Sequence, residues 1–411
     1  MRGPSPPENW GLRRAPVHRR PVIIVGVQDG RAAARARQDI VRLAHRRADS
    51  FALRQAVAER LRRWVDFDAY CWWTTDPATM FLTTSVAEWE KFPSASCLQI
   101  HRNEYLEQDF NKFRDLARGK APAAILAQAT GGCPERSHRY QQLMWPDRMT
   151  AELRSAQTVD GACWGALALY RAAGSPGFDE HDVRLLADLA PHLAHGLRTA
   201  LLADAIEGAT GPDTSGLIIL DADGRVAAVT AGAARWLHHL RDAVGSRLPE
   251  HRLSDAIYAV ASVAAGLHDD AGPARLPRAR VRVETGEWLL VHAARLERDG
   301  DTSDEVAVMI EQARPTQIAP VLVRAYGLSE RETDVVKAVL HGLSTEEISR
   351  SLHLSAYTVQ DYLKSVFHKV GVTSRRELVA HIFTEQHWPE YGDGEAELGP
   401  DGWFRESAGP A

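Results

Sequence analysis

The sequence predicts a multidomain α+β protein, in which two α/β units rich in hairpins precede an all-α module of four short helices. Three observations carry that prediction. The chain has 411 residues, which typical domain sizes divide into roughly two to four domains. Strand-like runs flank tight-turn residues at Asp160-Gly161, Asp221–Gly224 and Thr285-Gly286. Beyond residue 322 the pattern changes to helical spacing, with helix starts marked by Ser and Glu three residues apart.

Composition sets the class. Apolar residues make up 45% and charged residues 25%, as expected of a soluble globular protein. No apolar run approaches the roughly 20 residues that span a bilayer, and Val22–Val25 is too short for a secretory core. A cytoplasmic protein without a membrane partner is the expectation. The cysteines are Cys71, Cys97, Cys133 and Cys163, with no CxxC pair, which argues against a zinc module or a disulfide framework. The net charge of −5 gives no global sign of nucleic acid, so any such signal must be local.

Residues 1–47 carry eleven Arg against three acidic residues and read as a basic, disordered arm without an assigned role. Residues 48–206 read as one unit. Leu53, Val57, Leu61 and Val65 mark a helix over Ala52–Val65. Strands are expected at Ala69–Thr75 and Met80–Thr84, and a hairpin pairs Glu152–Val159 with Ala162–Arg171. Asp179 caps a long helix to about Ile206. Its Leu186, Leu189, Leu193 and Leu197 either form a seam between two chains or pack on the unit's own sheet, and Pro191 weakens the seam. His192 and His195 on this helix read as solvated or interfacial rather than as metal ligands. Tyr70, Cys71, Trp72, Trp73, Trp145, Cys163 and Trp164 could border an aromatic ligand pocket, although core packing is the more economical reading.

Residues 213–313 read as a second, smaller α+β unit. Gly216–Leu220, Arg225–Val229, Ala279–Val283, Glu287–Ala293 and Glu305–Ile310 are its strands. Residues 387–411 carry six acidic residues against Arg405 alone and read as a disordered tail. Helix, hairpin, helical insert, hairpin and exit helix over 48–206 resemble a GAF domain. The string GLIILDADGRVAAVTAGAARWL at the start of 213–313 resembles the opening of a PAS domain. Those resemblances imply sensory α/β domains.

Residues 322–386 hold the functional signal. Ser329 with Glu332, Ser344 with Glu347, and Ser374 with Glu377 fit the capping box, and Ser355 is a plain N-cap. Val335, Val336, Val339, Ile348, Val359, Leu363, Val366, Val370 and Leu378 can close a small core. His353-Leu354 joins the second and third helices closely enough for a helix-turn-helix. The segments LSERE, GLSTEEIS, LHLS, TVQDYLKSVFHKVGV and SRRELV resemble the LuxR family throughout the module. That resemblance implies a DNA-binding transcriptional regulator, with double-stranded DNA as partner and a homodimer as its assembly. A small-molecule ligand of the N-terminal units and contact with RNA polymerase are consistent with it. No cofactor, metal site or enzymatic activity is implied.

In such a motif the second helix enters the major groove. Its outward residues here are Tyr357, Gln360, Asp361, Lys364 and His368. Gln360 suits adenine, Lys364 guanine and Asp361 the cytosine amino group. Ser355 and Thr358 sit where a helix start can hold phosphate, and Lys369, Arg375 and Arg376 are further phosphate candidates. Residues 328–354 hold three basic and five acidic groups, net −2, whereas residues 355–376 hold four basic and one acidic, net +3. The sequence departs from the family pattern at Gln360, Asp361 and Tyr362. Two rivals stand beside this reading. One is a thiol-sensing or enzymatic N-terminal unit using Cys71 or Cys163, and the other is a sigma-factor-like promoter reader, whose polymerase-binding and melting segments are not evident.

Overall fold

The computed structural model describes residues 30–46, 49–89, 95–203, 215–240, 253–267, 276–283, 286–298, 301–313, 317–318, 321, 324–340 and 342–384. Most of the basic arm (1–29) and the whole of the acidic tail (387–411) therefore lie outside the described residues.

The first unit runs α1 (Gly30–Ala44), α2 (Ser50–Leu61), β1 (Ala69–Thr75), β2 (Leu82–Glu88), α3 (Ala95–Tyr105), α4 (Phe113–Arg118), β3 (Ala123–Ile125), α5 (Leu126–Ala129), β4 (Met149–Val159), β5 (Ala162–Ala172) and α6 (Glu180–Ala203). Its strands form one antiparallel sheet in the order β2-β1-β5-β4-β3. The β4–β5 hairpin turns at Asp160 (φ 50°) and Gly161 (φ 73°), two left-handed residues whose twist matches the strands they join. Alternation along β1 divides the aromatics between two layers. Tyr70 and Trp72 face α2 and α6, while Cys71 and Trp73 face the insert made by α3 to α5. Trp145 is 60% exposed. The aromatics are thus distributed over both faces of the sheet instead of surrounding one pocket.

One expectation is corrected here, and a second is narrowed to one of its two readings. Residues 30–44 form a helix, so the disordered arm cannot extend to 47. Ile40 and Ala44, one turn apart, are buried against α6, an apolar contact that the arginine count concealed. Gly196 permits the approach, since a Cβ there would lie 2.5 Å from the Ala44 carbonyl oxygen. The leucines of α6 make no seam between chains: Leu186, Leu189, Leu193 and Leu197 are buried in the unit's own core. The helix continues through Pro191. His45 stacks on His195 at 4.5 Å between ring centroids, and its Nε2 lies 3.3 Å from His192 Nδ1. These histidines are interfacial between α1 and α6. Among the described residues no cluster suits a metal, and no helix is long and apolar enough to cross a membrane.

The second unit contains β6 (Gly216–Leu220), β7 (Val226–Val229), α7 (Ala231–His239), α8 (Asp255–Gly266), β8 (Arg278–Arg282), β9 (Trp288–Arg298) and β10 (Asp301–Gln312). Its sheet order is β7-β6-β10-β9-β8. Both sheets therefore have the same plan: second strand, first, fifth, fourth, third. Helix α8 is apolar around its whole circumference, as a helix buried on all sides must be. It packs on β9 and β10 and also on α3 and β2 of the first unit, and Cys97 and Leu98 of α3 enter the second unit's core.

The contact between units is polar at its centre. Asp255, at the start of α8, accepts from Trp73 Nε1 at 3.0 Å and from Ser85 Oγ at 2.6 Å. His101 Nε2 lies 3.5 Å from the same carboxylate. Asp76 accepts from the Arg280 backbone amide at 3.0 Å and lies 3.3 Å from its guanidinium. All of these side chains are buried. Within the first unit Glu152 joins Arg139 (2.7 Å) to Arg154 (3.0 Å), and Arg154 reaches Glu104 at 2.9 Å. Burial alone would raise the Glu152 carboxyl, but the two guanidiniums hold it below its usual range. This network fills the space between sheet and insert.

Candidate nucleic-acid interface

The last four helices are α9 (Glu330–Leu340), α10 (Thr345–Ser351), α11 (Ala356–Val370) and α12 (Arg375–Thr384). Their starts follow the capping chemistry of the sequence. Glu332 N–H donates to Ser329 Oγ at 3.2 Å while Ser329 N–H donates to Glu332 at 2.6 Å. The Ser344–Glu347 box is also complete. At α12 only half forms: Glu377 N–H donates to Ser374 Oγ at 3.1 Å, but its carboxylate takes the Thr373 amide and hydroxyl instead. The α10–α11 turn passes through His353 at φ 52°, a left-handed conformation that is uncommon for a residue with a Cβ. Ser349 Oγ braces it by donating to the Leu354 carbonyl at 2.5 Å.

Helix α11 has two distinct faces. Val359, Leu363, Val366 and Val370 are buried with Val335, Val336, Val339, Ile348 and Leu378. Tyr357, Gln360, Asp361, Lys364 and His368 are exposed, at the spacing of a single helical stripe. Tyr357 is 75% exposed, although it is a large aromatic. Gln360 Nε2 reaches Thr345 Oγ1 at 3.4 Å, and Lys364 lies 3.7 Å from Asp361. Ser355 Oγ accepts the Thr358 amide at 3.0 Å and shares a hydrogen bond with the Thr358 hydroxyl at 2.8 Å. Both hydroxyls are thereby committed to the cap, which leaves the backbone amides of the first turn.

Two of the basic candidates are engaged within the module. Lys369 Nζ lies 2.7 Å from Glu332 Oε2 and donates to the Gly327 carbonyl at 3.0 Å. Ser365 Oγ donates to the other Glu332 oxygen at 2.6 Å. Burial would raise the Glu332 carboxyl, but its bonds from Lys369, Ser365 and Ser329 bring it down to about 2. Arg375 donates to the Leu343 carbonyl and so ties α12 to the α9–α10 loop. Lys364, on the stripe, and Arg376, on α12, are exposed. The helical period gave no sign that Lys369 pairs with Glu332, because its partner is 37 residues away.

Residues 327–382 match the family described as "Bacterial regulatory proteins, luxR family". They form a LuxR-type helix-turn-helix domain. An HTH-type transcriptional regulator of Mycobacterium tuberculosis is 37% identical over 79 residues, 19% of this chain and 9% of that protein. The HTH-type transcriptional regulator MalT of Klebsiella pneumoniae is 32% identical over 62 residues, 15% of this chain and 7% of that protein. The chain thus spans less than a tenth of the curated relatives it matches. Among solved structures, Escherichia coli SdiA aligns over 86% of this chain and 97% of its own, at 10% identity and a TM-score of 0.30. A Vibrio cholerae VqmA–ligand–DNA complex aligns over 42% and 84%, at 15% identity and a TM-score of 0.21. Those scores carry no argument about the N-terminal units. The matched relatives of the LuxR-type domain are named as transcriptional regulators.

The cysteine alternative lacks the chemistry it needs. Cys71 and Cys163 are buried. Burial pushes the Cys163 thiol up to about 11, away from the thiolate that a reactive cysteine requires.

Proposed function

We propose that the protein is a cytoplasmic transcriptional regulator that reads operator DNA as a homodimer through α11, under the control of a signal received by the two N-terminal units. The observation that carries this reading is the exposed stripe Tyr357, Gln360, Asp361, Lys364 and His368 on the second helix of a LuxR-type helix-turn-helix. With α11 in the major groove, Gln360, Asp361 and Lys364 meet base edges. The amides of the first turn, held in place by the Ser355–Thr358 cap, meet phosphate, as does Arg376. Lys369 and Arg375 hold the domain's shape and contribute to binding indirectly. The N-terminal units act as GAF-like and PAS-like sensors. This is supported by their pattern resemblances and by the strand order that the two sheets share.

Two copies are favoured because a module with little net charge gains affinity when a second is tethered beside it. The test is genome-wide mapping of sites bound by the full chain, followed by titration of a recovered site at several salt concentrations. Affinity should fall steeply with salt, through release of counterions from DNA. Binding that ignores both sequence and salt overturns the groove assignment.

A further inference from the structure

A cavity of about 400 Å³ lies where the two N-terminal units meet. Its wall draws Ser50 from α2, Trp164 from β5, Leu197 and Leu201 from α6, Val281 from β8, and Val321 from the segment that leads into the DNA-binding module. The volume is near the lower end of small-molecule sites, which run from roughly 300 to 1,000 Å³.

Two residues of that wall carry a buried polar atom with no hydrogen-bond partner among the described residues. The indole N–H of Trp164 is one, on a side chain only 3% exposed, and the buried hydroxyl of Ser50 is the other. A buried donor left unmet is destabilising, so such groups are ordinarily matched. An indole nitrogen can only donate, and whatever meets it must present an acceptor. The charges on the wall refine this. Asp76 and Arg280 bind each other at 3.3 Å. Arg54 donates to the carbonyls of Trp72 and Thr84, and Arg282 to those of Gly286 and Leu201. Asp49 also lines the wall and accepts the Ala52 amide at 2.8 Å. With Asp76 paired to Arg280, the guanidiniums of Arg54 and Arg282 outnumber that one carboxylate, and the small positive excess favours a carboxylate over an ammonium group.

We infer that this cavity is a binding site for a small organic acid with a mostly apolar body, whose carboxylate accepts from Trp164 Nε1 and Ser50 Oγ. The inference rests on the reading of the N-terminal units as sensors, and it gives that reading a place and a ligand class. The cavity lies between the units rather than inside either one, so occupancy acts on their junction. Val321 lines it, and three residues later Arg324 donates to the Pro77 carbonyl at 3.1 Å. A ligand here touches the chain segment from which the DNA-binding module hangs.

The test uses the full chain and three probes with the same ring: 1-naphthoate, 1-naphthamide and 1-naphthylmethylammonium. The readout is the indole ¹⁵N–¹H resonance of Trp164, assigned by its loss in Trp164→Phe. Naphthoate should shift it saturably, bind at least fivefold more tightly than the amide, and exceed the ammonium by more. Trp164→Phe should weaken naphthoate at least fivefold by calorimetry, and Ala200→Phe, which fills the cavity, should abolish binding. Trp145→Phe, at an exposed site, should change nothing. If no probe shifts Trp164 at millimolar concentration, the site holds only water and the inference fails. Preference for the ammonium overturns the acceptor chemistry, and unchanged affinity in Trp164→Phe overturns the assigned donor. If Ala200→Phe fails to fold, the resonance and the Trp164→Phe affinity still decide. No arm uses DNA, so failure of the regulator reading would appear separately in the operator titration.

Discussion

Lys369 Nζ sits 2.7 Å from Glu332 Oε2, and this contact divides the positive charge of the half proposed to face DNA into two kinds. Lys364 and Arg376 point to solvent, whereas Lys369 closes the helix bundle. Glu332 simultaneously completes the N-terminal box of α9 and receives Ser365 from α11. One carboxylate therefore links the cap of the first helix to the middle and end of the recognition helix.

Lys364→Ala and Lys369→Ala should differ in kind. Lys364→Ala should relax preference at one base pair by about 1–3 kcal/mol and lower the salt slope by about one. Lys369→Ala should leave the salt slope unchanged and instead lower the stability of the module, since it strips a partner from a buried carboxylate. Operator titrations at several salt concentrations, with urea melts of the excised module (322–386), check both. A reduced slope in Lys369→Ala would return that residue to the phosphate contacts.

The depressed Glu332 carboxyl fixes the sign of an acid dependence. Its folded value of about 2 lies below its ordinary 4.5, so ionised Glu332 stabilises the fold above about pH 4.5. That contribution is lost as pH falls from 4.5 toward 2. The stability gap between wild type and Glu332→Gln should be largest near neutrality and close between pH 4.5 and 2. A gap that is constant with pH rules out the ionised carboxylate as its source.

Local chemistry was legible in the sequence, and distant pairing was not. The hairpins announced themselves through Asp160-Gly161 and Asp221–Gly224, and the bundle through its Ser–Glu boxes, because each signal is complete within a few residues. Helix α1 was obscured because Ile40 and Ala44 stand among arginines. Asp255 and Trp73 look unremarkable in their own segments, yet they meet across 182 residues. The boundary between the N-terminal units could be placed by turn signals, whereas their shared core depends on α8, whose apolar run does not say which unit it serves. The cavity was likewise hidden, since its wall is assembled from both units. Trp164 is its one member among the aromatics that sequence marked as a candidate pocket.

Asp255 should couple the stability of the two N-terminal units. Replacing it with Ala leaves Trp73 Nε1, Ser85 Oγ and His101 without their shared acceptor. Loss of one partner from a buried charged network costs about 3–5 kcal/mol. In Asp255→Ala, limited proteolysis should release the two units as separate fragments, and thermal unfolding of the pair should split into two transitions. One unsplit transition at an unchanged midpoint rules out this coupling.

The leucines of α6 offer a test of where the dimer is not held. Leu189 and Leu193 are 0% and 1% exposed in the core of the first unit. Leu189→Asp with Leu193→Asp buries two unpaired carboxylates there, at a cost that exceeds the few kcal/mol by which domains are stable. The double variant should lose near-UV circular dichroism and expose apolar surface, instead of giving a folded monomer. A well-folded monomer on sedimentation would restore the interchain seam.

Under the proposed docking of α11, Asp361 is the residue on which readout turns. Its carboxylate sits on the exposed stripe of α11, 3.7 Å from Lys364, so it partly neutralises the nearest exposed cation. Near phosphates a negative side chain costs affinity on every sequence, but opposite cytosine it can accept from the N4 amino group. Asp361→Ala removes the repulsion everywhere and the base contact at one position. It also frees Lys364. Affinity for non-specific duplex should therefore rise, the salt slope should steepen, and preference at one cytosine should weaken by about 1–3 kcal/mol. Asp361→Asn separates the effects, because its amide oxygen still accepts while the charge is gone: non-specific affinity should rise as in Asp361→Ala, with preference partly kept. Loss of affinity on all sequences in both variants, with the module still folded, would mean that this stripe does not face the groove.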